Sequence, residues 1–194
     1  MSVGIILAFT AVFMSIIYSS NNPISFYGVS VKDAKKHIKE AVLLTIPILI
    51  LLLIFKWITI QRIQDFQQFP LFDPAASFKK EMLFSWTKYF VFMLLYVIFC
   101  PFQEFLVRGC IQTSLQKLMG ANSGWPLWKV IIISNLIFAT AHSHTTLSFA
   151  LSSFFPGLFW GWLYARQMTL VGVTVSHIMI GVWSTFIVGF ENMF

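Results

Sequence analysis

Long apolar runs separated by short polar segments dominate this chain. The runs cover about residues 3–18, 41–60, 86–118, 127–142, 146–164 and 168–190. A helix that crosses a bilayer needs about 20 mostly apolar residues, whereas the strands of a transmembrane β-barrel alternate between apolar and polar positions. The continuous runs therefore predict an all-α fold, a polytopic transmembrane helical bundle with about six spans. The polar segment 61–77 is predicted to form a loop or a short interfacial helix.

The composition agrees with a membrane location. The 194 residues are 58% hydrophobic and 10% charged, whereas soluble domains average about 45–50% apolar and about 25% charged residues. Soluble enzymes, disordered tails and disulfide-stapled secreted modules are therefore excluded. Because the spans leave no room for a sizeable extramembrane part, we expect a single membrane domain over 1–194, with the lipid bilayer as its partner.

The charge balance concerns membrane orientation rather than nucleic acid. The chain carries 13 Lys and Arg residues against 7 Asp and Glu residues, a net charge of +6. Cations collect at the cytoplasmic flanks of spans, and the sequence has no nucleic-acid-binding motif, so we expect no nucleic-acid partner. Lys117, Lys129 and Arg166 fall on the side of the basic segment 19–40, and Lys56 falls on the opposite flank. Seven cations against five favour a cytoplasmic position for 19–40.

The third apolar run is too long for one straight span. Residues 86–118 would form a helix of about 50 Å, whereas the hydrocarbon core of a bilayer is about 30 Å thick. Proline inside a helix removes a hydrogen bond and commonly kinks or breaks the helix. Pro101 lies inside this run, so we expect the helix to break there.

Four ionisable residues fall at membrane depth: Glu104, Arg108, His142 and His177. A charge at the centre of a bilayer costs about 3 kcal/mol on insertion scales, and such residues generally face the bundle interior and mark function. Glu104 and Arg108 are four residues apart, which places them on one helix face where they can pair. Measured from the cationic end of each run, Glu104, His142 and His177 lie about 20, 20 and 17 Å deep, so we expect them in one layer.

A carboxylate and two histidines in a buried layer suit the activation of water. Glutamate can take a proton from water, and imidazoles can transfer protons or stabilise an oxyanion. Histidine and glutamate are also zinc ligands. The chain lacks an H-E-x-x-H motif, and the spacing of His142 and His144 is not the i, i+4 spacing of helical ligands. We therefore expect no metal and no other cofactor, with zinc as the less favoured alternative.

Three strings in order resemble the CAAX protease and bacteriocin-processing family, also called the Abi family, of intramembrane glutamic proteases. The family pattern is E-E-x-x-x-R, then F-x-x-x-H, then H-x-x-x-N on successive helices. The corresponding strings here are Gln103 to Arg108, Phe138 to His142, and His177 to Gly181. The resemblance covers about 99–182, which is the expected catalytic core, and includes the run from Gly157 to Arg166.

The resemblance implies an intramembrane endopeptidase that cleaves a peptide or membrane-protein substrate. In this interpretation Glu104 activates water, His142 assists by proton transfer or hydrogen bonding, His177 supports the oxyanion, and Arg108 positions Glu104. The auxiliary candidates are Gln103, Asn135 and His144. The short chain fits a multi-pass protein of a prokaryotic cell membrane better than a large eukaryotic member.

Two positions depart from the family pattern. The first glutamate of the pair is Gln103 here, and the final asparagine is Gly181. Glutamine cannot act as a base, and glycine offers no side-chain donor. One hypothesis is a variant protease in which Glu104 becomes the base. The alternatives are a catalytically degenerate member that acts as a membrane scaffold, and a purely structural ion pair between Glu104 and Arg108.

Overall fold

The regular structure of the chain is helical throughout the residues that the computed structural model describes, which are 3–78, 84–143 and 146–193. The α-helices are α1 (Val3–Ser19), α2 (Ala34–Arg62), α3 (Trp86–Glu104), α4 (Thr113–Met119), α5 (Gly124–Thr140), α6 (Leu147–Gln167) and α7 (Leu170–Gly181). A π-helical segment, Phe105–Gln112, joins α3 to α4, and a second, Val182–Val188, extends α7. The predicted all-α bundle is confirmed.

Within the described part of the chain, three helices are long and apolar enough to cross a membrane: Ala34–Arg62, Trp86–Met119 and Leu170–Val188. Large apolar side chains on the first of them, such as Leu51 and Phe55, are exposed, which suits contact with lipid rather than water. The chain is therefore a membrane protein. The other predicted spans also form helices, but their crossing of the bilayer stays a prediction.

The polar segment 61–77 forms no extended interfacial helix. It contains the end of α2, a short 3₁₀ turn at Gln64–Phe66 and the start of another at Ala76–Phe78. Of the two predicted forms of this segment, the structure has the loop.

The expected break at Pro101 is wrong. Helix α3 continues through Pro101 to Glu104, and the irregular geometry comes afterwards, in the π-helical segment Phe105–Gln112. Membrane helices tolerate proline because local π or 3₁₀ adjustments give the freed backbone groups new partners. The result is one helix of 34 residues, Trp86–Met119, with a widened stretch in its second half.

Polar contacts join helix ends and the segment 19–40 at one end of the bundle. Arg166 donates to Glu40 at 2.7 Å, and Gln167 donates to the other carboxylate oxygen of Glu40 at 2.9 Å. Lys117 donates to Asn22 at 3.3 Å. These contacts bring together the segment 19–40 with Lys117 and Arg166, which the charge pattern assigns to one side.

Lys56, which the charge count places on one flank of the membrane, is buried inside the bundle. Its side chain is 0% exposed, and its ammonium group donates to the carbonyl oxygens of Val188 and Gly189. These carbonyls lie at the C-terminal end of the helix that begins with α7, where a cation is stabilised by the helix dipole. Lys56 therefore holds the C-terminal part of the membrane helix α2 against the end of the helix that begins with α7.

We expect Lys56→Met to lower the free energy of unfolding by about 1–3 kcal/mol, because the two carbonyls lose a buried donor. Thermal unfolding of the detergent-solubilised protein measures this change. Lys88→Met is the matched control, since Lys88 is exposed on α3, and it should leave the unfolding temperature unchanged. Equal stability of the two variants would contradict the capping role of Lys56.

Candidate active site

Helices α3 and α7 lie side by side and run antiparallel. Near the start of α3, the hydroxyl of Tyr89 donates to the carbonyl oxygen of Phe186 at 2.8 Å. At the other end of α3, Glu104 contacts His177. Because the partners appear in opposite order along the two segments, residues at the end of α3 face residues in the middle of α7.

Glu104 is the centre of the site and is 0% exposed. One carboxylate oxygen, Oε1, lies 2.6 Å from Nδ1 of His177, and the other, Oε2, accepts from Nε of Arg108 at 3.3 Å. An ionised carboxylate only accepts, so Nδ1 of His177 donates to it, and in the neutral imidazole Nε2 then holds a lone pair. The predicted pairing of Glu104 with Arg108 is present, and His177 is a second partner on another helix.

Arg108 is buried and tied to two further helices. Its Nη2 donates to the carbonyl oxygen of Gly157 on α6 at 2.9 Å and to Oδ1 of Asn135 on α5 at 3.4 Å. The guanidinium carbon also lies 5.6 Å from the centre of the Phe138 ring, within the range of a cation–π contact. The candidate residue Asn135 therefore contacts Arg108 and, through it, Glu104.

Gly157 allows this close approach of α5 and α6. A Cβ atom at this position would overlap the side-chain oxygen of Asn135. The amide nitrogen of Asn135 in turn donates to the carbonyl oxygen of Phe154 at 2.6 Å. The missing side chain thus leaves space for the asparagine that supports Arg108.

His142 lies just beyond the end of α5, where the last carbonyls of a helix lack helical partners. Its Nδ1 donates to one of them, the carbonyl oxygen of Phe138, at 2.8 Å. This hydrogen bond leaves Nε2 as the ring atom that can exchange a proton. The Phe138 ring lies 4.5 Å from the His142 ring and 6.0 Å from the His177 ring, so the two histidines flank one aromatic side chain.

Trp160 and Ser176 belong to the same site, and of the two Trp160 is the residue that the sequence motifs do not single out. The Trp160 ring stacks on His177 with 3.9 Å between ring centres, and its Nε1 donates to Ser176 at 3.2 Å. Ser176 also accepts from Thr45 on α2 at 2.8 Å. The available signal was that Trp160 lies within the run from Gly157 to Arg166, whose glycines indicate a buried helix face.

The remaining auxiliary candidates are Gln103 and His144. Gln103 is 7% exposed, and its side-chain oxygen has no hydrogen-bond partner in the described part of the chain. It therefore lies beside Glu104 in sequence without joining the hydrogen bonds around that carboxylate. His144 lies outside the described residues.

A catalytic zinc ion is bound by three protein side chains that lie close together. No three His, Cys, Asp or Glu side chains come together in this way among residues 3–78, 84–143 and 146–193. The expectation of a cofactor-free site stays a prediction.

We expect Gly157→Ala to lower the free energy of unfolding by about 1–3 kcal/mol, the usual cost of overpacking a buried site. The added Cβ displaces Asn135 and loosens Arg108. Gly4→Ala in α1 is the control, because a Cβ there meets no atom within 4 Å. Thermal unfolding of both variants measures the difference, and a Gly157→Ala protein as stable as Gly4→Ala would contradict the tight packing of α5 on α6.

Comparison with known families gives a match over about half of the chain. A family model described as Type II CAAX prenyl endopeptidase Rce1-like matches residues 85–183, just over half of the 194 residues. The matched segment includes Glu104, Arg108, His142 and His177. Neither the comparison with curated proteins nor the comparison with solved structures gives a match.

Proposed function

The chain belongs to the Rce1-like family of type II CAAX prenyl endopeptidases, and from this premise we propose that it is an intramembrane peptidase that hydrolyses a peptide or membrane-protein substrate. The observation that carries this proposal is the buried hydrogen bond of 2.6 Å between Glu104 and His177. A carboxylate that orients an imidazole is an arrangement by which proteins activate a nucleophile.

In the proposed reaction, the pair of Glu104 and His177 is the general base. The carboxylate accepts from Nδ1 of His177 and so keeps the lone pair on Nε2. A water molecule attacks the carbonyl carbon of the substrate while its proton moves to Nε2, and Glu104 stabilises the imidazolium that forms. Arg108 donates to Glu104 and fixes it in place. His177 thus takes part in proton transfer, a role that differs from the oxyanion support implied by the family resemblance.

His142 is proposed as the second proton-transfer group. Its Nδ1 donates to a backbone carbonyl oxygen, so a proton can be exchanged only at Nε2. We propose that His142, protonated at Nε2, is the acid that protonates the leaving amine, while His177 is part of the base. The C–N bond breaks only when the nitrogen gains a proton. After the reaction, His177 holds the proton that it took from water and His142 has given one proton to the amine. His177 then releases its proton to solvent and His142 takes one up, which restores the starting state of the site.

The substrate is proposed to reach the site from the membrane. Helices long and apolar enough for spans surround the buried carboxylate, which favours a multi-pass protein and a substrate with an apolar anchor or a membrane segment. The family description names prenyl CAAX substrates, so an isoprenylated peptide is the first substrate to try. The proposed location of the protein is a prokaryotic cell membrane.

We expect Glu104→Gln to lower kcat at least about 100-fold in proteoliposomes, because the amide cannot stabilise the imidazolium. Cleavage of an isoprenylated CAAX peptide, followed by mass spectrometry, measures the rate. Glu40→Gln is the matched control, since Glu40 pairs with Arg166 at 2.7 Å at the partly exposed end of the bundle, and it should keep near wild-type activity.

The same assay tests the expected independence from metal ions. Treatment of the wild-type protein with a strong chelator should leave kcat unchanged, because the proposed base is the pair of Glu104 and His177. A wild-type protein that cleaves neither prenylated nor unmodified membrane peptides would contradict the proposed function. Activity lost to the chelator and restored by zinc would contradict the cofactor-free mechanism.

The alternative function is that of a membrane scaffold without peptidase activity. A substitution at the buried Gln103 distinguishes the active peptidase from this scaffold. Its side-chain oxygen accepts no hydrogen bond among the described residues, so a carboxylate there would be buried without a donor. We expect Gln103→Glu to lower the free energy of unfolding by about 1–3 kcal/mol and to give no gain in cleavage rate. An inactive wild-type protein that becomes a peptidase on this substitution would instead identify a degenerate enzyme.

A further inference from the structure

Helices α3 and α7 meet at a second point close to the Glu104–His177 pair. Tyr96 lies two turns before Glu104 on α3, and Gly181 lies one turn after His177 on α7, so each shares a face with its neighbour in the pair. A Cβ atom on Gly181 would overlap the hydroxyl of Tyr96. The absence of a side chain at this position therefore admits the phenol hydroxyl to the helix interface.

Ring contacts hold Tyr96 in this place. Its ring packs edge-on against His177 with 6.0 Å between ring centres and against Phe186 at 5.9 Å. The buried thiol of Cys100, one turn along the same helix, lies beside the hydroxyl.

We propose that Tyr96 is a catalytic residue that donates a hydrogen bond to the carbonyl oxygen of the scissile peptide bond. This inference rests on the proposed function. When the water oxygen bonds to the carbonyl carbon, its proton moves to the Glu104–His177 pair and the C=O electron pair moves to the carbonyl oxygen. The Tyr96 hydroxyl keeps its proton and stabilises that oxyanion, which releases the electron pair when the C–N bond breaks and the amine takes a proton.

The position of the hydroxyl fits this role better than a packing role alone. An oxyanion donor must lie beside the base, within a region of low dielectric, and must be oriented before the reaction. Tyr96 meets these conditions because its ring contacts His177 and its hydroxyl lies against the backbone of α7. Gly181 has no side-chain donor, so the side-chain donor at this contact between α3 and α7 is the Tyr96 hydroxyl.

Tyr89 offers a matched control on the same helix. Its ring also packs edge-on against Phe186, with 5.7 Å between ring centres, and its hydroxyl donates to the carbonyl oxygen of Phe186 at 2.8 Å. Tyr89→Phe therefore removes a hydroxyl from the same helix pair but away from Glu104. A structural contribution of either hydroxyl would change stability, whereas a catalytic contribution changes kcat.

The experiment compares kcat, KM and thermal unfolding of the wild-type, Tyr96→Phe and Tyr89→Phe proteins in proteoliposomes. We expect Tyr96→Phe to lower kcat about 100- to 1,000-fold, the usual loss for one oxyanion donor, with KM and unfolding temperature close to the wild-type values. Tyr89→Phe should keep the wild-type kcat. Wild-type cleavage with an unchanged kcat in Tyr96→Phe overturns this inference alone, whereas no wild-type cleavage overturns the proposed function and this inference with it.

A second variant moves the donor to the facing helix. Tyr96→Ala opens the space against Gly181, and adding Gly181→Asn then supplies an amide donor from α7. We expect the double variant to cleave at least about 10-fold faster than Tyr96→Ala alone, since one good donor is worth about 100-fold or more. A double variant that unfolds at the wild-type temperature yet is no faster than Tyr96→Ala overturns the assignment of Tyr96 as an oxyanion donor.

Discussion

A carboxylate without exposed surface can remain ionised only if buried donors surround it, and this requirement organises the centre of the bundle. Glu104 obtains its donors from the π-helical segment that follows α3 and from α7, through Arg108 and His177. An isolated charge at this depth would cost several kcal/mol, so neither donor can be lost cheaply. Because Arg108 also donates to Gly157 on α6, one negative charge ties together α3, α6 and α7.

The same interaction gives the site its chemistry. The hydrogen bond from His177 to Glu104 determines which imidazole nitrogen carries the proton, and Trp160 stacks on that ring and limits its rotation. The helix positions, the tautomer of the histidine and the ionisation of the glutamate are therefore coupled. A substitution that disturbs one of them is expected to disturb the others, which is why control variants far from the carboxylate are essential.

Much of this arrangement follows from sequence. Continuous apolar runs predict the helices, and the scarcity of charge inside them identifies Glu104, Arg108 and His177, because few membrane residues are ionisable without a reason. The burial of Lys56 does not follow, since a cation late in an apolar run is equally compatible with a span end. Pro101 misleads because α3 continues through it, and the irregular geometry comes several residues later as a π-helical stretch rather than as a break.

The aromatic residues of the site are the hardest to predict. The chain has 22 Phe, 7 Trp and 5 Tyr residues, so residue type alone does not distinguish Tyr96 or Trp160 from aromatic side chains that face lipid. What distinguishes Tyr96 and Trp160 is that both rings contact His177 on α7. These contacts depend on how the helices pack, which the sequence does not state. The two departures from the family motif also differ in setting, because Gln103 lies outside the hydrogen bonds of the site whereas Gly181 adjoins Tyr96.

The most direct test of the central claim is a double-mutant cycle on the pair that forms the base. The rate constant kcat/KM is measured for the wild-type, Glu104→Gln, His177→Ala and doubly substituted proteins in proteoliposomes. If the two side chains act as one unit, the double variant is no slower than the slower single variant. If the losses multiply instead, as they do for independent groups, Glu104 and His177 do not form a single base and the account is contradicted.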